Sequence, residues 1–106
     1  MSLPEAEITE LVSIKPFSGR SAYGPTFGEE FEAKAYVEPG FRRVSDREGN
    51  EVVASAFLVL APDVTIRPGD QVTWSGQRYE VIDAQPLRQG GRVHHTEVYL
   101  KSAGEA

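Results

Sequence analysis

The sequence predicts a mostly β fold, a small antiparallel β-barrel or tight sandwich, and three observations carry that prediction. Ten glycines and seven prolines punctuate 106 residues into short segments, too short for the uninterrupted stretches that helices need. Several segments alternate apolar and polar residues with the two-residue period of a strand. Two turn signals near the C-terminus independently place the same residues on one apolar face. Successive hairpins around one long apolar strand are best accommodated by closure, which removes exposed edges.

The elements follow in chain order. Ser2-Leu3-Pro4-Glu5 has the form of a capping box with an early proline, so residues 1–10 read as a flexible or short helical N-terminus. From Leu11 the alternation Val12, Ser13, Ile14, Lys15 favours a strand that ends at Pro16. Residues 16–29 hold three glycines and two prolines without sustained periodicity, and read as a long loop. Loops of that length inside a compact domain are uncommon and are usually functional or disordered. The aromatics Phe17, Tyr23 and Phe27 are unusual for a merely solvating linker.

Phe31, Ala33, Ala35 and Val37 alternate with Glu32, Lys34, Tyr36 and Glu38, giving a strand with one buried and one wetter face. Pro39-Gly40 bends or bulges the chain before Phe41-Arg42-Arg43-Val44 resumes. Asp46 to Asn50 is a polar turn into Glu51–Ala61, whose run from 52 to 61 is apolar at nearly every position. That run is expected to be the central strand, covered on both faces. A two-residue turn at Ser75-Gly76 pairs Trp74 with Gln77, Val72 with Tyr79 and Asp70 with Val81, setting Val72, Trp74, Tyr79 and Val81 on one face. A second turn at Gly90-Gly91 pairs Leu87 with His94, Asp83 with Val98 and Val81 with Leu100. Residues 102–106 read as a flexible tail.

At 11.7 kDa one domain spanning 1–106 is expected, since so short a chain buries only about two-thirds of its unfolded surface. The absence of cysteine excludes disulfides, thiolate metal sites and thiol nucleophiles. No apolar run approaches the ~20 residues of a membrane-spanning helix. The first residues lack the basic and apolar regions of a signal peptide, so cytosolic synthesis is expected. Net charge is −5. Residues 1–40 carry seven acids against three bases and residues 41–106 nine against eight, so neither part has the positive excess that binding a phosphate backbone rewards.

Chemistry-bearing motifs are sparse: the chain has no P-loop, dinucleotide-binding glycine pattern, nucleophile elbow or zinc-protease motif. His94-His95 followed by Glu97 is the best constellation, because imidazole and carboxylate ligate metals and move protons. Adjacent strand residues point to opposite faces, which leaves His95 and Glu97 as the same-face pair and would require a third ligand from elsewhere. Cross-strand polar pairing on a hairpin flank explains these residues more simply. Asp83, set by the expected register on the apolar face, reads as a hydrogen-bond acceptor where the hairpin leaves the core, ahead of a tuned base. Asp63 and Asp70 fit turn chemistry after Pro62 and Pro68-Gly69. Trp74 and Tyr79 could stack nucleotide bases, but packing beneath the hairpin suits them better. Arg42, Arg43, Arg88 and Arg92 give local positive spots suited to a solvated face or to an acidic neighbouring subunit.

The order of these parts resembles the head-closure, or head-to-tail stopper, proteins of long-tailed bacteriophages, also called head–tail connector or adaptor proteins. The resemblance runs from about Val12 to Leu100. It rests on the opening strand, the loop with Tyr23-Gly24-Pro25-Thr26-Phe27-Gly28, and the strand through Ala35-Tyr36-Val37-Glu38. It continues through Val44-Ser45-Asp46 to Glu51-Val52-Val53-Ala54-Ser55, Ile66-Arg67-Pro68-Gly69-Asp70, Trp74 to Val81 and His94 to Leu100. It implies a non-enzymatic barrel subunit without cofactors that joins a ring on the portal-connector, meets tail proteins, and resides in the virion after assembly in the host cytoplasm. By position, the loop Pro16 to Gly28 would lie toward the channel and help retain packaged DNA, with Phe17, Arg20, Tyr23 and Phe27 as contacts and Arg42, Arg43, Arg88 and Arg92 as ring-interface charges. Arg20 is that loop's only base, so a steric plug fits better than an electrostatic clamp. Two alternatives of other classes are a barrel binding nucleic acid or oligosaccharide, and a metal-dependent enzyme using His95 and Glu97.

Overall fold

The computed structural model describes residues 10–46 and 48–105; the expectation for residues 1–9 lies outside them. The described chain is all β, without helix. Eight strands follow in order: β1 (Glu10–Lys15), β2 (Phe17–Ser21), β3 (Gly24–Phe27), β4 (Phe31–Ser45), β5 (Glu51–Leu60), β6 (Gln71–Trp74), β7 (Gln77–Gln89) and β8 (Arg92–Glu105). Six of them close into an antiparallel barrel in the order β1-β4-β5-β8-β7-β6, and β2 and β3 form a separate two-stranded sheet. Closure comes from β1 pairing with β6, Ser13 opposite Thr73 and Lys15 opposite Gln71. The barrel, rather than the sandwich, is therefore the architecture.

A six-stranded bore is narrow, and the inward residues fit it by size. Ala33, Ala35, Ala54 and Ala56 on β4 and β5 are buried, while Val12, Ile14, Leu58, Leu60, Val72, Val81, Val98 and Leu100 fill the space they leave. The expected bend at Pro39-Gly40 is a bulge between Pro39 and Arg42, with Gly40 at φ 146°. Beyond it the β4–β5 arm is closed by Asp46, whose Oδ1 accepts the amides of Glu48 and Asn50, each at 2.9 Å. Those backbone donors, Asn50 foremost, hold the Asp46 carboxyl below its usual range against partial desolvation. Burial on both faces of β5 holds only for Leu58, Val59 and Leu60. Val53, which lies on the arm, is 54% exposed.

The β6–β7 hairpin has the expected register, Trp74 opposite Gln77 and Val72 opposite Tyr79. Ser75 and Gly76 both take positive φ, 51° and 76°, as a two-residue hairpin turn requires. Tyr79 is buried and Trp74 packs against the core, so both aromatics serve the barrel. In β7–β8 the Gly90-Gly91 turn and the Val81–Leu100 pair also stand, but Leu87 opposes His95 and Asp83 opposes Tyr99. Bulges between Val81 and Asp83 and between Leu87 and Arg88 shift the register by one residue and back. Ala84 thereby takes an inward place, and half-buried Asp83 accepts from Gln85 Nε2 at 2.9 Å. The tail expected from residue 102 is instead strand through Glu105. Ser102, Gly104 and Glu105 pair with Tyr79, Arg78 and Gln77, which would otherwise present an open edge.

Register also orders the two ends of the barrel. Lys15 at the end of β1, the start of β4, the end of β5 and the β7–β8 tip lie at one end, and the β4–β5 turn lies at the other. The chain between β1 and β4 thus leaves from the end that carries the β7–β8 arm.

Candidate functional site

The segment expected to be an irregular loop is a β-hairpin. Ser21 opposes Gly24, Arg20 opposes Pro25, Gly19 opposes Thr26 and Phe17 opposes Phe27, with a bulge at Ser18. Its turn, Ala22-Tyr23, is bracketed by the Ser21 hydroxyl, which donates to the Gly24 carbonyl at 3.1 Å and accepts the Tyr23 amide at 3.2 Å. Ser18 and Thr26 hydroxyls meet across the strands at 3.0 Å. Gly19 and Gly24 take φ of 142° and 112°, which is why glycine-rich sequence can still run as strand here. The hairpin buries little, so it has no reason to alternate, and periodicity could not reveal it. The available signal was local, a serine and a glycine three residues apart around a two-residue turn.

The base of the hairpin is fixed tightly. Gly28 N donates to Pro16 O at 2.7 Å. The carboxylate of Asp70, only 3% exposed, accepts the Phe17 amide on Oδ1 and the Arg67 amide on Oδ2, both at 2.8 Å. Asp70 is thus more than the turn residue the sequence suggests: it ties the hairpin to the connection between β5 and β6. Gly69 adjoins it at φ 94°, and a Cβ there would sit 3.4 Å from the Phe17 ring. Phe17 and Phe27 meet edge to face, with centroids 6.1 Å apart, and the Arg20 guanidinium lies 5.8 Å from the Phe17 centroid. A cleft of about 570 Å³ separates this cluster from β7, lined among others by Pro25, Arg78 and Tyr79.

Four residues singled out from sequence, Phe17, Arg20, Tyr23 and Phe27, therefore share one element but not one role. Phe17, Arg20 and Phe27 pack on one another near the barrel. Tyr23 projects alone from the tip, fully exposed.

The four arginines are not brought together. On the β4–β5 side, Arg42 Nη2 donates to Glu38 Oε1 at 2.9 Å and its guanidinium stacks 4.9 Å from the Phe57 centroid. Phe57 in turn packs on Tyr99 at 5.4 Å. The Tyr36 hydroxyl, which donates to Glu38 Oε2 at 2.7 Å, and next Arg42 hold the Glu38 carboxyl below its usual range, against partial desolvation. Arg43 faces Glu51 at 3.3 Å. Arg88 and Arg92 stand exposed on the β7–β8 arm, and among the described residues neither has an ion-pair partner.

His95 and Glu97 share a face as expected, with His95 Nε2 3.4 Å from Glu97 Oε2. The expectation that His94 points away from His95 is overturned. The bulge beside Leu87 leaves His94 outside the regular alternation, and its Nδ1 lies 2.8 Å from His95 Nδ1, the rings edge to face. Both line a cleft of about 880 Å³ with Phe31, Glu32, Lys34 and Asp63. Among the described residues no group of three or more histidine, cysteine, aspartate or glutamate side chains is placed to hold a metal ion.

No protein-family model and no curated protein matches the chain. Among solved structures, that of the phage-like element PBSX protein xkdH from Bacillus subtilis is similar in fold. Identity is 19%, the match covers 88% of this chain and 92% of that one, and the TM-score is 0.50.

Proposed function

We propose that this protein is a structural virion protein, a subunit of the stopper ring that joins the portal-connector to the tail and helps retain packaged DNA, without catalytic turnover. The observation that carries this reading is the β2–β3 hairpin. It is inserted between two barrel strands, anchored at its base by buried Asp70, and ends in a fully exposed tyrosine. Such an element presents an exposed tip on a hydrogen-bonded base, a surface suited to a partner. The fold it shares with a protein of a phage-like element supports the virion setting, and the ordered resemblance from Val12 to Leu100 supports the stopper role.

In the ring, copies of the hairpin converge on the channel with Tyr23 foremost. Arg20 is the hairpin's one basic side chain and stacks on Phe17, so contact with DNA is steric rather than charge-neutralising. Arg88 and Arg92, exposed at one end of the barrel, are charges offered to neighbouring subunits, the connector and tail proteins, and Arg42 and Arg43 at the other end would meet them from within their pairs with Glu38 and Glu51. The protein then belongs to the head–tail interface of the particle, reached from the host cytoplasm.

The test is electron microscopy of the full chain co-expressed with portal and connector proteins, alongside a variant lacking Ser18–Phe27. The expected result is a new disc on the connector in both cases, with density narrowing the channel only for the complete chain, and lower DNA retention in particles carrying the deletion. A connector ring that assembles without an added disc would overturn the reading. Oligonucleotide binding that falls steeply with salt would then favour a nucleic-acid-binding barrel.

A further inference from the structure

We propose that the notch beyond the end of β5 is a docking site for one extended segment of a second protein chain, which enters as an added strand between β4 and β8 and carries a basic residue on its outer side. β5 ends at Leu60, which lies between Ala35 of β4 and Thr96 of β8. Beyond it the chain turns away at Pro62, and Val64 N donates to Ala61 O at 3.1 Å. The neighbouring strands do not stop there. β4 extends back to Phe31 paired with β1, and β8 extends back to Arg92 paired with β7. Among the described residues, 31–34 and 92–95 therefore have no strand on the sides where β5 would have continued.

Two strands that flank a third stand about 9.5 Å apart, twice the ordinary strand spacing, so the interval that β5 vacates is one strand wide. A cleft of about 880 Å³ occupies it, with Phe31 to Lys34 on one side, His94 and His95 on the other and residues 61–65 at its end. Each bare edge offers N–H and C=O groups at alternate residues, the pairing partners of an added strand. Side chains restrict the occupant further. On the inner side Ala33 is buried and small and Val64 packs against the core, so the inserted residue that faces them is apolar and branched. On the outer side Glu32, Lys34 and Asp63 are exposed, and none has an ion-pair partner among the described residues. His94 and His95 are hydrogen-bonded to each other, so the two acids outnumber the one lysine. A lysine or arginine of the inserted strand complements them, and a further carboxylate there is repelled. The notch is separate from the β2–β3 hairpin, and its use does not depend on the stopper role.

The test is amide hydrogen exchange of the full chain with an excess of a capped synthetic peptide of alternating valine and lysine. The expected result is slower exchange at residues 31–34 and 92–95 together, with the β2–β3 hairpin unchanged. A peptide of alternating valine and glutamate should bind about tenfold more weakly. The double variant Glu32→Gln, Asp63→Asn, changed only at exposed positions, should lose that preference while still folding. N-methylation along the peptide backbone should abolish the slowing, because it removes the donors of the ladder. Unchanged exchange at either edge with the valine–lysine peptide in excess would overturn the proposal, as would undiminished binding of the N-methylated peptide.

Discussion

The β6–β7 and β2–β3 hairpins both turn through two residues, yet different forces hold them. In β6–β7 the inward side chains Val72, Tyr79 and Val81 are buried in the barrel, so the apolar pattern and the Ser75-Gly76 turn together dictate the register. In β2–β3 no residue is fully buried, and order comes from backbone pairing, hydroxyl contacts around the turn and one buried carboxylate at the base. The contrast teaches that this chain separates stability from presentation. The barrel carries the burial, and the hairpin is an appendage whose outer surface can change without disturbing the core.

The comparison breaks most visibly at its two extremes. Leu58 is fully buried at the centre of the barrel, and Leu58→Ala should cost about 2–5 kcal/mol by urea denaturation. Tyr23→Ala at the hairpin tip should stay within about 0.5 kcal/mol of wild type. A large loss from Tyr23→Ala would mean that the hairpin is part of the core after all.

The junction between the two regions sharpens the contrast. Asp70→Ala leaves the Phe17 and Arg67 amides without their acceptor, and should destabilise by about 1–3 kcal/mol. Its signature is local: amide exchange at Phe17 should speed up more than at Val72 or Val98. Uniform acceleration would show that hairpin and barrel open together.

The smallest effect concerns the barrel's outer face. Because the folded state lowers the Glu38 pKa, the ion contributes stability above the ordinary glutamate value of 4.5 and loses it as pH falls through the lowered value. Glu38→Gln should therefore be less stable than wild type near neutral pH. The gap should close in acid. An unchanged gap down to pH 3 would show that packing of Arg42 on Phe57, rather than the carboxylate charge, is what Glu38 supports.

How far each part was legible follows from the same division of forces. The Ser75-Gly76 hairpin, the Pro39-Gly40 bulge and the Asp46 turn were readable because each is set by neighbouring residues and a strict period. The pairings of Asp83 and of Leu87 were not, because bulges shift a register without changing composition. Of the candidate site, the aromatic and basic residues of 17–27 were legible as unusual. Their arrangement as a hairpin, with Phe17 and Phe27 turned to each other, was hidden because it leaves no alternation.

The sequence by itself determined the β class, the positions of the main turns and the identity of the buried face, since turn chemistry and two-residue periodicity are local properties of the chain. Only the tertiary structure decided closure through β1 and β6, the burial of Asp70 beneath Phe17, and the meeting of His94 with His95. Each of these joins residues through a bulge or across distant parts of the chain, from Phe17 to Asp70 and from Ser13 to Thr73. No local pattern encodes such contacts: the distant pairs meet only when the barrel closes, and the histidines only where the β7–β8 pairing takes its bulge.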